Sequence, residues 1–223
     1  MSLEYWLPVA WFAVIGFGVL MYVLLDGFVL GLGILAPFAE DEAQLDHMMN
    51  TAAPIWDGNE TWLVLGGTGL FAAFPLAYSV VLSALYLPII FMLMGLIFRG
   101  VAFEFRSVSR SKVWWNFAFT AGSTLAAFCQ GIILAGLIQG IRVENGTFAG
   151  GGFEWATPFA LLCGLGLVSG YALLGATFLV MKTTGPVADR ARQHAKLLLL
   201  AVLALAHLGE LLLDALQLGA GGL

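Results

Sequence analysis

The stretch Ala53-Pro-Ile-Trp-Asp-Gly-Asn-Glu-Thr-Trp62 places two carboxylates, Asp57 and Glu60, within a run that the rest of the chain puts in a membrane. An ionisable group at bilayer depth costs roughly 3 kcal/mol or more, so it normally faces a protein or water-filled interior and marks a pathway or site. Three-residue spacing sets both acids on one helix face, with Trp56 on nearly the same side. A third acid, Asp26, lies in the first apolar run. Asp26 falls about 10 residues, roughly 15 Å, before the end of the first predicted helix, and Asp57 about 9 residues, roughly 14 Å, after the start of the second. Antiparallel neighbours joined by a short loop pack together, so Asp26 and Asp57 are expected to face one cavity, with Glu60 about a turn deeper. Carboxylates that close do not all ionise cheaply, and desolvation opposes charge, which suits proton carriage. The same residues also fit simpler roles. Pro54 and Gly58 suit an irregular helix entrance in the headgroups, and Asp26 before Gly27 suits a backbone hydrogen bond at a helix distortion.

The elements that must position these acids follow from composition. Of 223 residues, 61% are hydrophobic and 10% charged, and the mean hydropathy is +0.94. That excludes an ordinary soluble domain and implies an all-α, polytopic membrane helical bundle. Six segments meet the requirement of about 20 apolar residues per span. They lie near 6–36, 48–74, 76–98, 114–141, 155–181 and 195–218, with Pro75 opening the third. Gly146 to Gly152 is the loosest loop. We expect a single membrane domain over 1–223, divided into a four-helix bundle at 1–141 and the start of a second, incomplete bundle at 155–218.

Basic residues orient the bundle. Arg99, Arg106, Arg110 and Lys112 lie between the third and fourth segments, and Lys182, Arg190, Arg192 and Lys196 between the fifth and sixth; Arg142 alone lies elsewhere. Both loops are therefore predicted to be cytoplasmic, with the N-terminus and C-terminus outside and the acidic run Glu40 to Asp46 inside. Trp6, Trp114, Trp115 and Trp155 at segment ends fit interfacial anchoring. Gly27 with Gly31, Gly136 with Gly140, and Gly166 with Gly170 predict close helix approaches.

Several chemistries are not supported. The net charge of −5 rests on few charges and gives no sign of nucleic acid. Gly31-Leu-Gly33 and Gly66-Gly-Thr-Gly69 lie inside apolar helices and lack the context of a phosphate loop. Cys129 and Cys163 sit in apolar runs, where thiols behave as small buried hydrophobes. Glu4 and the length of the first apolar run argue against a cleaved signal peptide. His47 and His194 fall in loops, and His207, Glu210 and Asp214 line one face of the last helix without the spacing of a carboxylate-bridged metal site. No metal site, and no haem held by this chain, is expected.

Four ordered motifs then point to a family: Asp26-Gly-Phe-Val-Leu-Gly-Leu-Gly-Ile-Leu-Ala-Pro37, Trp56-Asp-Gly-Asn-Glu-Thr-Trp62, Phe71-Ala-Ala-Phe-Pro-Leu-Ala-Tyr78 and Phe98-Arg-Gly-Val-Ala-Phe-Glu-Phe-Arg106. Together they resemble subunit II of the cytochrome bd-type quinol oxidases, including the cyanide-insensitive branch. The resemblance implies a haem-free subunit of a bacterial plasma (inner) membrane complex. Its expected partner is a larger subunit I bearing haems b and d, and the pair oxidises quinol and reduces oxygen to water. It also implies no catalytic residue in this chain and a proton route from the cytoplasm through Asp57, with Asp26 nearby and Glu60 less firmly; whether a quinone binds in this subunit is left open by the sequence. The chain departs from the family at its end, where relatives continue into further helices while this sequence stops at Leu223. Both a fragment and a shortened form fit. A stand-alone proton-coupled carrier is the alternative, though no internal inverted repeat supports it.

Overall fold

The computed structural model describes the backbone of residues 3–220 and the side chains of residues 4–215. Among them are eight α-helices: α1 Leu3–Leu35, α2 Glu42–Ala52, α3 Trp56–Ala73, α4 Pro75–Ala84, α5 Tyr86–Arg106, α6 Val113–Gln139, α7 Pro158–Lys182 and α8 Pro186–Ala220. Helix α1 is central and packs against α3, α6 and α7, while α5 lies along α6 and α8 along α7. Five helices are long and apolar enough to cross a membrane. Helix α3 has 18 residues, about 27 Å, but Asp57, Asn59 and Glu60 keep it below that apolarity.

Two of the six expected segments are divided, each at a proline. The second breaks into α2 and α3 at Ala53 to Ile55, where Pro54 supplies no backbone donor. The third breaks at Leu85 because the ring of Pro88, in the first turn of α5, would meet the carbonyl of Ala84 if α4 continued. Pro75 opens α4 as its first residue. Helix α2 starts where the Asp41 carboxylate accepts the Gln44 N–H at 2.8 Å, and it buries Leu45, Met48, Met49 and Ala52 at helical spacing.

Close backbone approach is concentrated at three crossings, and at the one between α6 and α7 a Cβ on Gly131 would stand 2.4 Å from the Cys163 carbonyl oxygen. A Cβ on Gly31 would stand 1.9 Å from the Tyr171 carbonyl oxygen, and one on Gly175 would stand 2.4 Å from the Gly31 carbonyl carbon. A Cβ on Gly95 would stand 2.6 Å from the Gly122 carbonyl. The expected Gly166 and Gly170 approach does not form, since both face open space. The loop expected at 146–152 contains half of a short hairpin in which Val143 pairs with Phe148 and Glu144 with Thr147. Asn145 and Gly146, at φ 51° and 77°, make its turn. His207, Glu210 and Asp214 are exposed on α8; Gly221 to Leu223 lie outside the described residues.

The charged ends of α2, α5 and α6 meet at one end of the bundle. Arg106 donates to Glu42 at 2.7 Å, to Asn116 at 2.5 Å and to Asp46, and Lys112 donates to Asp46 at 2.8 Å. Arg190 pairs with Glu40 at the same end. The acidic run therefore pairs with three basic residues of the two loops, Arg106, Lys112 and Arg190. Hydrogen bonds from Lys112 and then Arg106 hold the Asp46 carboxyl below the usual carboxylate range. A depressed folded-state value means that the stabilisation is complete above the unfolded value of about 3.9 and is lost as pH falls through the folded one. The melting-temperature gap between wild type and Asp46→Asn should stay constant from about pH 8 to 5 and close only below about pH 4, read by thermal unfolding in detergent.

Candidate polar site inside the bundle

Arg99 is the centre of the site. Its guanidinium is fully buried on α5 and donates through one nitrogen to Asp26 Oδ1 on α1 at 2.6 Å and through another to Glu60 on α3. Asp26 is likewise fully buried. Asn59, one position before Glu60, donates to the Leu25 carbonyl at 3.0 Å and fixes α3 against α1 beside the triad. Trp56 stacks on Phe103 with centroids 5.3 Å apart and rings within 4° of parallel, which pins the start of α3 to α5.

The site differs from the expected one in two respects. Arg99, assigned by charge counting to a cytoplasmic loop, is two turns inside α5, because that helix runs on to Arg106. The signal was present: a span opening at Tyr86 needs about 20 residues and so ends near Arg106. The expected pairing of Asp26 with Asp57 does not form. Asn59 turns toward α1, so Asp57, two residues earlier, faces nearly the opposite way and is exposed. Glu60 takes the place opposite Asp26. Because α3 begins at Trp56, Asp57 stands in its first turn, where the helix dipole favours a carboxylate.

Next to the triad lies a second polar group that sequence reading did not single out. Tyr171 on α7 donates to Gln130 Oε1 at 2.7 Å, and Gln130 on α6 donates to the Tyr22 hydroxyl oxygen at 2.8 Å. Tyr22 and Tyr171 are both almost fully buried. Their tyrosine and glutamine types are common in membrane helices, and no spacing within one segment connects them.

Two carboxylates facing one guanidinium leave an excess negative charge at the triad, which one proton neutralises. The arrangement can therefore take up and release a proton within the bundle without leaving Arg99 unpaired. Of the three histidines, His47 is exposed, His194 packs edge-on against Phe38, and His207 is exposed on α8. Among the described residues no three His, Cys, Asp or Glu side chains converge on a metal position.

A family model described as cytochrome bd terminal oxidase subunit II matches residues 7–218. The chain is 37% identical over 176 residues to a probable cytochrome oxidase subunit 2 of Haemophilus influenzae, covering 75% of this chain and 47% of that protein. It is 33% identical over 202 residues to the cytochrome bd-I ubiquinol oxidase subunit 2 of Escherichia coli, covering 86% and 53%. The chain thus spans about half the length of these relatives. The fold matches a chain in the structure of bd oxidase from Geobacillus thermodenitrificans with a TM-score of 0.77 at 19% identity, covering 92% of this chain and 64% of that one.

Proposed function

We propose, from the premise that this chain belongs to the cytochrome bd terminal oxidase subunit II family, that it is the haem-free subunit of a membrane complex that passes electrons from quinol to oxygen. Subunit I is its partner and carries the haems, of types b and d. The fold is that of a multi-pass membrane protein. We place it in the bacterial plasma membrane with α3 as a sixth span, both termini outside and the end bearing Arg106, Lys112 and Arg190 in the cytoplasm, where basic residues accumulate.

The observation that carries this reading is the buried Asp26–Arg99–Glu60 triad with Asp57 turned outward. Every electron delivered to oxygen on its way to water requires a proton, and this side of the complex supplies it. In our reading Asp57 takes protons from the cytoplasm and hands them toward subunit I, which its exposed position on this chain allows. Asp26 and Glu60, sharing Arg99, hold a proton in reserve behind it. The haems supply the electron transfer and oxygen chemistry when the partner is bound; no step of it runs through this chain's residues.

Purification of the tagged chain, followed by an optical spectrum and identification of its companions, tests the assignment. Haem bands are expected only in fractions that contain a larger subunit. Stoichiometric haem in a preparation free of that subunit refutes it. Free labelling of Arg110→Cys or Arg190→Cys from outside intact cells would overturn the orientation.

A further inference from the structure

Asp26 uses one carboxylate oxygen on Arg99, and its other oxygen, Oδ2, is buried without a partner. Tyr22 lies one turn before Asp26 on α1, on the same face, and both side chains are buried. The hydroxyl oxygen already accepts from Gln130 Nε2 at 2.8 Å, and Gln130 Oε1 already accepts from Tyr171 at 2.7 Å. A hydroxyl that accepts from one side still has its single proton to place. Asp26 Oδ2, on the residue one turn away, is a buried acceptor without a partner.

We propose that Tyr171, Gln130 and Tyr22 form a directional hydrogen-bond chain that ends on Asp26 and follows its protonation state. With Asp26 ionised, every donor points toward it: Tyr171 to Gln130, Gln130 to Tyr22, and Tyr22 to Oδ2, directly or through one water. When Asp26 takes a proton it becomes a donor itself. The chain then reverses: Asp26 donates to the Tyr22 oxygen, Tyr22 to Gln130 Oε1 after the amide turns over, and Gln130 Nε2 to Tyr171. No bond other than O–H and hydrogen bonds is made or broken, and no proton is lost from the tyrosines. Tyr22 and Gln130 each donate and accept in both states, whereas an apolar residue at position 22 would leave Oδ2 unpartnered in each. Tyr22, Gln130 and Tyr171 are thus positioning residues for Asp26, and this inference rests on Asp26 belonging to the proton route proposed above.

The groups facing Asp26 are Arg99 from α5, Glu60 from α3 through that arginine, Tyr22 on its own helix and Tyr171 from α7; α6 contributes the neutral Gln130. Removing the Tyr22 hydroxyl costs the ionised carboxylate a charge-assisted hydrogen bond and the protonated acid only a weaker neutral one. Tyr22→Phe should therefore move the pH profile of quinol-driven oxygen uptake upward by about one unit in the purified complex. Tyr171→Phe, two links away, should move it in the same direction by less, and haem content should be unchanged in both.

Asp26→Asn separates the two levels of interpretation. If Asp26→Asn turns over normally, the proton-route reading fails and this proposal with it. If Asp26→Asn slows turnover but Tyr22→Phe and Tyr171→Phe keep the wild-type pH profile, the chain alone is refuted. Loss of haem or of subunit I from Tyr22→Phe also refutes it, because the hydroxyl then serves only to hold the bundle together.

Discussion

Arg99→Met should abolish assembly of the complex, although methionine roughly fills the volume and helix α5 tolerates it. The substitution leaves Asp26 and Glu60 facing each other in the bundle with no cation between them. Removing one partner from a buried ion pair costs about 3 to 5 kcal/mol, comparable with a large fraction of the stability of an ordinary domain. Arg99→Lys should recover only part of the loss. A lysine ammonium is a compact point charge that cannot present separate planar nitrogens to carboxylates on two helices. Neutralising the acids as well is the informative control. The triple variant Asp26→Asn, Glu60→Gln, Arg99→Met removes all three charges and should regain expression and partner binding while remaining slow in turnover. The readout is haem per tagged chain after purification, and wild-type haem content in Arg99→Met alone would show that the triad does not hold these helices.

The helices themselves were legible from apolar length, and both internal breaks coincide with prolines whose missing donor or ring the sequence displays. Pro88 was readable in principle, since its effect falls on residue 84, four positions earlier. The site was only half legible. That intramembrane acids matter follows from the cost of placing charge in lipid, and this singled out Asp26, Asp57 and Glu60. Which acid faces inward was not readable, because it depends on the rotation of α3. Asn59 sets that rotation through its bond to the Leu25 carbonyl, a contact 34 residues distant in sequence. Arg99 was misplaced for a related reason. A basic residue near a helix end scores as a loop charge until the helix end is known, and the true end is set by Arg106 meeting Glu42 and Asp46 on α2. Tyr22, Gln130 and Tyr171 come from three helices and have no shared sequence pattern, so only packing brings them together.

Asp57→Asn should leave the complex intact and reduce oxygen uptake per haem by about a hundredfold or more, the scale of a lost proton-transfer group. Asparagine keeps the size and much of the hydrogen bonding of aspartate but cannot cycle a proton at any accessible pH. The side chain is exposed on this chain and has no hydrogen-bond or ion-pair partner among the described residues, so its removal orphans no charge within the bundle. That separates it from Arg99, where the same measurement reports assembly. Asp57→Glu should retain much more activity, because it restores a titratable group one methylene further from the backbone. Glu60→Gln and Asp26→Asn make an internal comparison. Each leaves Arg99 paired with one remaining carboxylate, so each should assemble and slow turnover less than Asp57→Asn if the triad holds a proton in reserve behind the main route. Oxygen uptake with a soluble quinol, normalised to haem, ranks the four variants. Wild-type turnover per haem in Asp57→Asn alongside slow Glu60→Gln would move the obligatory step from the outward face of α3 to the inward one. The proton would then reach subunit I through the triad.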